Sequence, residues 1–177
     1  LSINSNNENE VLKNLQNNIY EVVYLIGVDN LNFDKKKEFV IYQGSHGDKG
    51  ADLADIILPG AAFTEQDGHY TNLEGVIQKA YKASYPPGEA KEDWLIINEL
   101  SNYLSAKNIY ETKESLEKSM FNYLNLHNSK ISTSNKINNN FVKEKIIIKD
   151  IDYYYSNAIA RASKTMSECK NEKINLK

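Results

Sequence analysis

An α/β fold, with parallel strands flanked by helices, is what this sequence predicts, on three observations. Val22-Val-Tyr-Leu-Ile26, Phe39-Val-Ile-Tyr42 and Asp55-Ile-Ile-Leu58 are short, nearly continuous apolar runs, each closing on a glycine or proline turn. Strands buried on both faces of a parallel sheet read this way, whereas half-solvated strands alternate. Around these runs, apolar residues recur at helical spacing. A third segment, Gly68 to Ala80, has the composition of a β-hairpin.

The elements follow in order. Val11, Leu12, Leu15 and Ile19 suit a short amphipathic helix that leads into the first strand, Val22 to Ile26. The strands 39–42 and 55–58 come next, with loops expected at their carboxyl ends, where α/β folds collect ligands. In the hairpin, His69-Tyr-Thr71 and Val76-Ile77 have strand character and Asn72-Leu-Glu-Gly75 has turn character. Pro86-Pro-Gly88 stops extended structure and launches a helix with Ile96, Leu100, Tyr103 and Leu104 as its stripe, Trp94 on the preceding turn, and Glu92 and Asp93 near the positive end of the macrodipole. Thr112 is the expected N-cap of a second helix carrying Leu116, Met120, Tyr123 and Leu124. An apolar strand, Ile146-Ile-Ile148, precedes a last helix from near Ser156, with Ile159, Ala162, Met166 and Cys169 on one side.

With 177 residues, 41% hydrophobic and 25% charged, the chain is one domain or most of one and has apolar area for a core. Its organisation reads as an extended start and short helix over 1–20, an α/β core over 21–104, a helix over 105–126, a polar linker over 127–140, and a C-terminal strand and helix over 141–177. Leu1 to Asn9 and His127 to Asn140 are rich in Asn, Ser and Lys, and have little apolar area to offset backbone ordering. The net charge of −3 supplies no basic face for a phosphate backbone, so nucleic acid is not an expected partner. No apolar run approaches the eighteen or so residues of a membrane-spanning helix. A single cysteine, Cys169, allows no internal disulfide. The chain opens at Leu1 with neither an initiator Met nor a basic leader, so its true start is expected to have been removed.

The candidate chemistry is sparse. Gly44, Gly47 and Gly50 are spaced by three, which is neither the dinucleotide fingerprint nor the phosphate loop, and Lys49 is followed by glycine where the latter has Ser or Thr. Two readings stand: a close-packed turn, favoured here, or a phosphate cradle. His46 and Asp48 could share a metal or a proton, and His69 could join them in space, but the spacing supplies no further ligand and the commoner reading is polar-loop histidines. Glu65, Asp67 and Glu74 could divide acid and base roles if burial separated their pKa values; exposed loop carboxylates are the commoner case. Cys169 lies in a helical stripe and reads as a buried small hydrophobe, and one thiol cannot hold an iron–sulfur cluster. Tyr153-Tyr-Tyr155 is expected to pack the final helix rather than to stack bases.

Tyr42-Gln-Gly-Ser-His-Gly-Asp-Lys-Gly50, Ala54-Asp-Ile-Ile-Leu-Pro-Gly-Ala-Ala62, Tyr70-Thr-Asn-Leu-Glu-Gly75 and Pro86-Pro-Gly-Glu-Ala-Lys-Glu-Asp-Trp94, with the tail Ser156 to Cys169, resemble in order the C-terminal part of the large iron–sulfur subunit family of respiratory complex I. The resemblance covers Tyr24 to Leu104 and Asp150 to Cys169. It implies part of a molybdopterin-oxidoreductase-type domain, within the mitochondrial NADH:ubiquinone oxidoreductase. Where the wider family reads Asn-x-Glu-Gly-Arg-x-Gln, this chain keeps Asn72, Glu74, Gly75 and Gln78 but has Val76 at the arginine position. Losing that guanidinium fork removes a bidentate anion contact.

The resemblance therefore implies a non-catalytic structural subunit, or the split C-terminal half of that large subunit. No catalytic, metal or cofactor-binding residue is expected in it; Gly44, His46, Gly47, Asp48, Gly50, Asn72, Glu74, Gly75 and Gln78 are vestigial loop candidates. Iron–sulfur clusters are expected in the N-terminal half. That half and other matrix-arm subunits are the implied partners, on the matrix side of the mitochondrial inner membrane. The alternatives are a residual molybdopterin- or nucleotide-binding oxidoreductase domain and a free-standing interaction module. The Asn, Lys and Ile bias fits an AT-rich genome.

Overall fold

The computed structural model describes residues 8–31, 33–124 and 152–175. The linker 127–140 and the strand Ile146–Ile148 expected from the sequence lie outside the described residues. The chain divides into two compact units, Leu1–Ile96 with Asp152–Lys177, and Ile97–Ile151.

The first unit opens with α1 (Glu8–Gln16), followed by β1 (Val22–Ile26), β2 (Phe39–Gly44) and, after the one-turn helix α2 (Lys49–Asp52), β3 (Ile56–Pro59). The three strands form a parallel sheet in the order β1-β2-β3, with Val23 opposite Val40 and Tyr42 opposite Ile57. The fold class is α/β, as the apolar runs predict. Leu15 of α1 packs with Val23, Leu25, Phe33, Val40 and Tyr42 in the core. Burying each such aliphatic side chain contributes about 1.5–3 kcal/mol.

Burial is less even than continuous apolar runs suggest. Val22 and Ile26 of β1 and Phe39 of β2 remain exposed beside buried neighbours, and in β3 both Ile56 and Ile57 are exposed. Among the described residues β1 and β3 are the edges of the sheet, and the exposed side chains are those that nothing described covers. Ile19 is exposed beyond the end of α1, because the helix closes at Asn18 with φ 54.

Asp55 explains how β3 is started. Its amide donates to the Val40 carbonyl (2.8 Å) and its Oδ2 accepts from the Val40 amide (2.8 Å), while Lys35 Nζ reaches Oδ1 (2.7 Å). Lys35 and the Val40 amide hold this carboxyl below its ordinary range.

Beyond the sheet, β4 (Gly68–Thr71) and β5 (Ile77–Ala80) form the antiparallel hairpin, with His69 opposite Lys79. α3 (Asp93–Ser105) begins in this unit and continues into the second. Ile96 is buried, but Tyr103 and Leu104, expected on the same apolar stripe, are exposed.

The second unit carries α4 (Lys113–Tyr123). Thr112 is its N-cap, as the sequence predicts: Thr112 Oγ1 accepts from the Ser115 amide (3.2 Å) and Ser115 Oγ accepts from the Thr112 amide (3.3 Å). Asn98 ties α3 to the connection before α4, its Oδ1 accepting from the amides of Ile109 (2.7 Å) and Tyr110 (3.0 Å).

The tail returns to the first unit and corrects the sequence reading. The single C-terminal helix is two, α5 (Ala158–Ala162) and α6 (Lys164–Asn175), broken at Ser163, whose backbone is extended (φ −80, ψ 121). The break divides the expected stripe: Ile159 and Ala162 are exposed, and Cys169 is exposed rather than buried.

Candidate functional site

The carboxyl end of β2 runs directly into the glycine loop 44–50, and Tyr42 determines its shape. This side chain is fully buried, and its hydroxyl donates to Asp29, with the Gly47 carbonyl 3.3 Å away. Burial first, then the bond to Asp29, pushes the Tyr42 phenol far above its ordinary pKa. A Cβ at Gly44 would come within 2.3 Å of the Tyr42 hydroxyl, and one at Gly50 within 2.6 Å of the Val28 carbonyl. Both glycines are there because backbone and ring occupy the space.

The amides at the end of the loop donate within the chain. Lys49 N donates to Asp48 Oδ1 (2.9 Å), Gly50 N to the Asp29 carbonyl (3.0 Å) and Ala51 N to the Asp48 carbonyl (3.0 Å). Gly47 has φ 69, and Asp48, without a glycine's freedom, has φ 101. Asp48 is held from the far end of the chain by Arg161 Nε, and Arg161 Nη2 lies 3.8 Å from Asp29. Partial burial raises the Asp48 carboxyl, but the Arg161 bond, the Lys49 amide and the two cationic side chains outweigh it and leave the group below its ordinary range.

Beside the loop, Gly44, Ser45, His46, Pro59, Gly60 and Glu65 line part of an open cavity of about 460 Å³, together with Pro87, Glu89 and Ala90. His46 Nδ1 lies 2.8 Å from Ser45 Oγ. The ionisable side chains on this wall are His46, Glu65 and Glu89, so it presents no guanidinium or ammonium group to an anion. Glu65 is engaged in structure, accepting from the Ala62 amide (2.9 Å).

The other candidates fall elsewhere. Asn72 builds the hairpin turn: its Oδ1 accepts from the amides of Glu74 (3.0 Å) and Val76 (2.9 Å), and Gly75 takes φ 80. Glu74 and Gln78 are exposed on the hairpin. Asp67 Oδ1 accepts from the Lys82 amide (2.7 Å), so Glu65, Asp67 and Glu74 serve three separate local structures. Among the described residues no group of three or more His, Cys, Asp or Glu could hold a metal ion, and none of the helices is long and apolar enough to cross a membrane.

Sequence reasoning missed two constellations. The first is the Arg161, Asp29 and Asp48 cluster, which joins residues 113 positions apart and leaves no local pattern. The second centres on Asp93 at the start of α3. Gln43, fully buried in β2, accepts from the Tyr24 hydroxyl and donates to Asp93 Oδ1 (2.8 Å), while Gln66 Nε2 donates to Asp93 Oδ2 (2.8 Å) and Gln66 Oε1 accepts from the Asp93 amide (3.1 Å). This network ties the start of α3 to β2, with Tyr24 of β1 joining through Gln43. A lone glutamine closing an otherwise apolar run was its one sequence signal.

Two family models match successive parts of the chain. Residues 2–103 match the molybdopterin oxidoreductase family model, and residues 115–169 match the model for the C-terminal region of the NADH-ubiquinone oxidoreductase G subunit. The chain is 40% identical over 158 residues to the NADH-ubiquinone oxidoreductase 75 kDa subunit of Reclinomonas americana, with 83% of this chain and 23% of the relative covered. It is 44% identical over 160 residues to the NADH-quinone oxidoreductase G subunit of Rickettsia conorii, covering 84% of this chain and 23% of that protein. A mitochondrial 78 kDa subunit of NADH-ubiquinone oxidoreductase from Candida albicans is 40% identical over 165 residues, covering 83% of this chain and 23% of its own length. The match thus spans under a quarter of each relative.

Proposed function

Because the chain belongs to the molybdopterin oxidoreductase family, we propose that it is the C-terminal structural portion of the large iron–sulfur subunit of a respiratory complex I. In this role it shapes the peripheral arm through which electrons pass from NADH to quinone and holds no redox centre itself. The observation that carries this reading is the use made of the glycine loop. The amides of Lys49 and Gly50 in the loop, and of Ala51 after it, donate to the chain's own oxygens, and Arg161 is engaged by Asp48 and Asp29.

A phosphate-bearing pterin does not fit these residues. The cavity at the carboxyl ends of β2 and β3 is lined by His46, Glu65 and Glu89, whose carboxylates repel an anion. Val76 stands where the wider family places an arginine. No chemical step is assigned to this chain.

Its partner in this reading is the cluster-bearing N-terminal half of the same subunit, together with other subunits of the matrix arm, on the matrix side of the mitochondrial inner membrane. The exposed Ile56 and Ile57 of edge strand β3 support such a partner, since strands of the sheet can be completed from beyond this segment. A native gel of the membrane fraction, stained for NADH dehydrogenase and analysed by mass spectrometry, tests the assignment. The chain is expected in the active band. Migration as a lone chain would replace this reading with a free-standing interaction module, and stoichiometric molybdenum or tungsten in the assembly would replace it with a residual oxidoreductase domain.

A further inference from the structure

Independently of that assignment, we propose that residues 152–175 form a strap whose seating, through Arg161, sets the conformation of the glycine loop. The strap is built as a unit. Lys170 Nζ pairs with Asp152 (2.6 Å) and lies 3.9 Å from the centroid of the Tyr155 ring, and the Tyr155 hydroxyl donates to Ser167 Oγ (2.9 Å). Asn157 caps α5, its Oδ1 accepting from the Ala160 amide (2.8 Å). These contacts bind the start of the strap to α6 and hold α5 between them. From α5, Arg161 reaches the core: Nε to Asp48, Nη2 to Asp29 at 3.8 Å, and Nη1 back to the Tyr155 carbonyl at 3.4 Å.

Asp48 is the part of the loop on which the strap acts. Its φ of 101 and ψ of −161 lie where glycine is at ease and a side-chain-bearing residue is strained. Such a residue stays there only when its surroundings over-determine it. The Asp48 carbonyl accepts from the Ala51 (3.0 Å) and Asp52 (3.1 Å) amides, and its side chain has two further restraints, the Lys49 amide on Oδ1 and Arg161 on Oδ2. Releasing Arg161 removes one of them and frees the backbone to relax, so the loop is an element with two arrangements and the strap biases which is populated. The seat suits release: a recess of about 480 Å³ lies between Gly27–Leu31 on the core side and Ser156–Ala158 with Arg161 on the strap side. Lifting the strap therefore does not require pulling a side chain from the sheet's core.

Coupling of this kind is reciprocal, so a change on either side must appear on the other. Hydrogen exchange read by mass spectrometry, on the full chain in the assembly it occupies, provides the test. With Arg161→Ala, exchange at the Lys49, Gly50 and Ala51 amides is expected to rise about tenfold together with that of α5, while β1 and β2 keep their protection. Asp48→Asn keeps an acceptor for the Lys49 amide and tolerates positive φ but gives up the charge, and exchange in α5 is expected to rise several-fold. If each variant loosens its own segment and leaves the other unchanged, the strap is merely appended and the proposal falls. Should Arg161→Ala fail to accumulate, the unsubstituted protein taken from about 0.05 M to about 1 M salt supplies the same reading. Parallel acceleration of loop and strap is expected there, and a response confined to one of them would overturn the proposal.

Discussion

Two turns of this chain, the glycine loop 44–50 and the hairpin turn 72–75, look alike as sequence and are stabilised in opposite ways. The hairpin turn is self-sufficient. Asn72 supplies the acceptor for two amides within four residues, Gly75 takes the positive φ, and a Cβ on Gly75 would meet nothing within 4 Å. The glycine loop depends on distant groups: the Tyr42 ring, the Val28 carbonyl, Asp29, and Arg161 from the tail. Gly75 is needed for its backbone angle and Gly50 for the space it leaves empty. A glycine count cannot distinguish these demands, although their energetics differ.

The largest effect that would sharpen the contrast belongs to Gly50→Ala. Its Cβ would press on backbone rather than on a movable side chain, so overpacking is expected to cost about 3 kcal/mol, read as a fall in the urea midpoint. Tyr42→Phe removes a buried bond to a carboxylate and is expected to cost about 2 kcal/mol in the same measurement. Gly75→Ala meets open space and bears only the left-handed backbone penalty, about 1 kcal/mol, confined to hydrogen exchange of the hairpin. A global destabilisation by Gly75→Ala as large as that by Gly50→Ala would break the comparison.

The smallest effect is one of pH. Asp48 has a folded pKa below its unfolded value, so the stabilisation it provides is full above the ordinary carboxylate pKa and is lost as pH falls through the folded one. The Asx turn at Asn72 is made by an amide that does not titrate. Acidification from about pH 5 to about pH 2 is therefore expected to reduce protection at Lys49–Ala51 before it affects the hairpin turn, a sequence that exchange measured along the titration would show.

Much of the architecture was legible because it is local. The apolar runs placed β1, β2 and β3, Thr112 announced an N-cap, and Asn72 with Gly75 announced the hairpin turn. The stripe from Ile159 to Cys169 misled, because periodicity does not register the extended backbone at Ser163 that ends α5. The stripe of α3 was misread in part, since Tyr103 and Leu104 have the spacing of core residues but remain exposed. At the site, the glycine cluster was visible and its purpose was not: Tyr42 reads as one more apolar strand residue, and no local pattern marks Asp29 or Arg161.

The α/β class, the order of the strands along the chain and the two glycine turns are written in the residues themselves, since these follow from hydrophobic period and turn chemistry within a few positions. It took the folded arrangement to show that the glycine loop is fastened from the tail, that Gln43 and Asp93 join β2 to the start of a helix, and which glycines are needed for space. The physical reason is range. A hydrogen bond or an ion pair forms wherever the fold brings two groups within about 3–4 Å, however far apart they lie along the chain, and one-dimensional spacing carries no record of that distance.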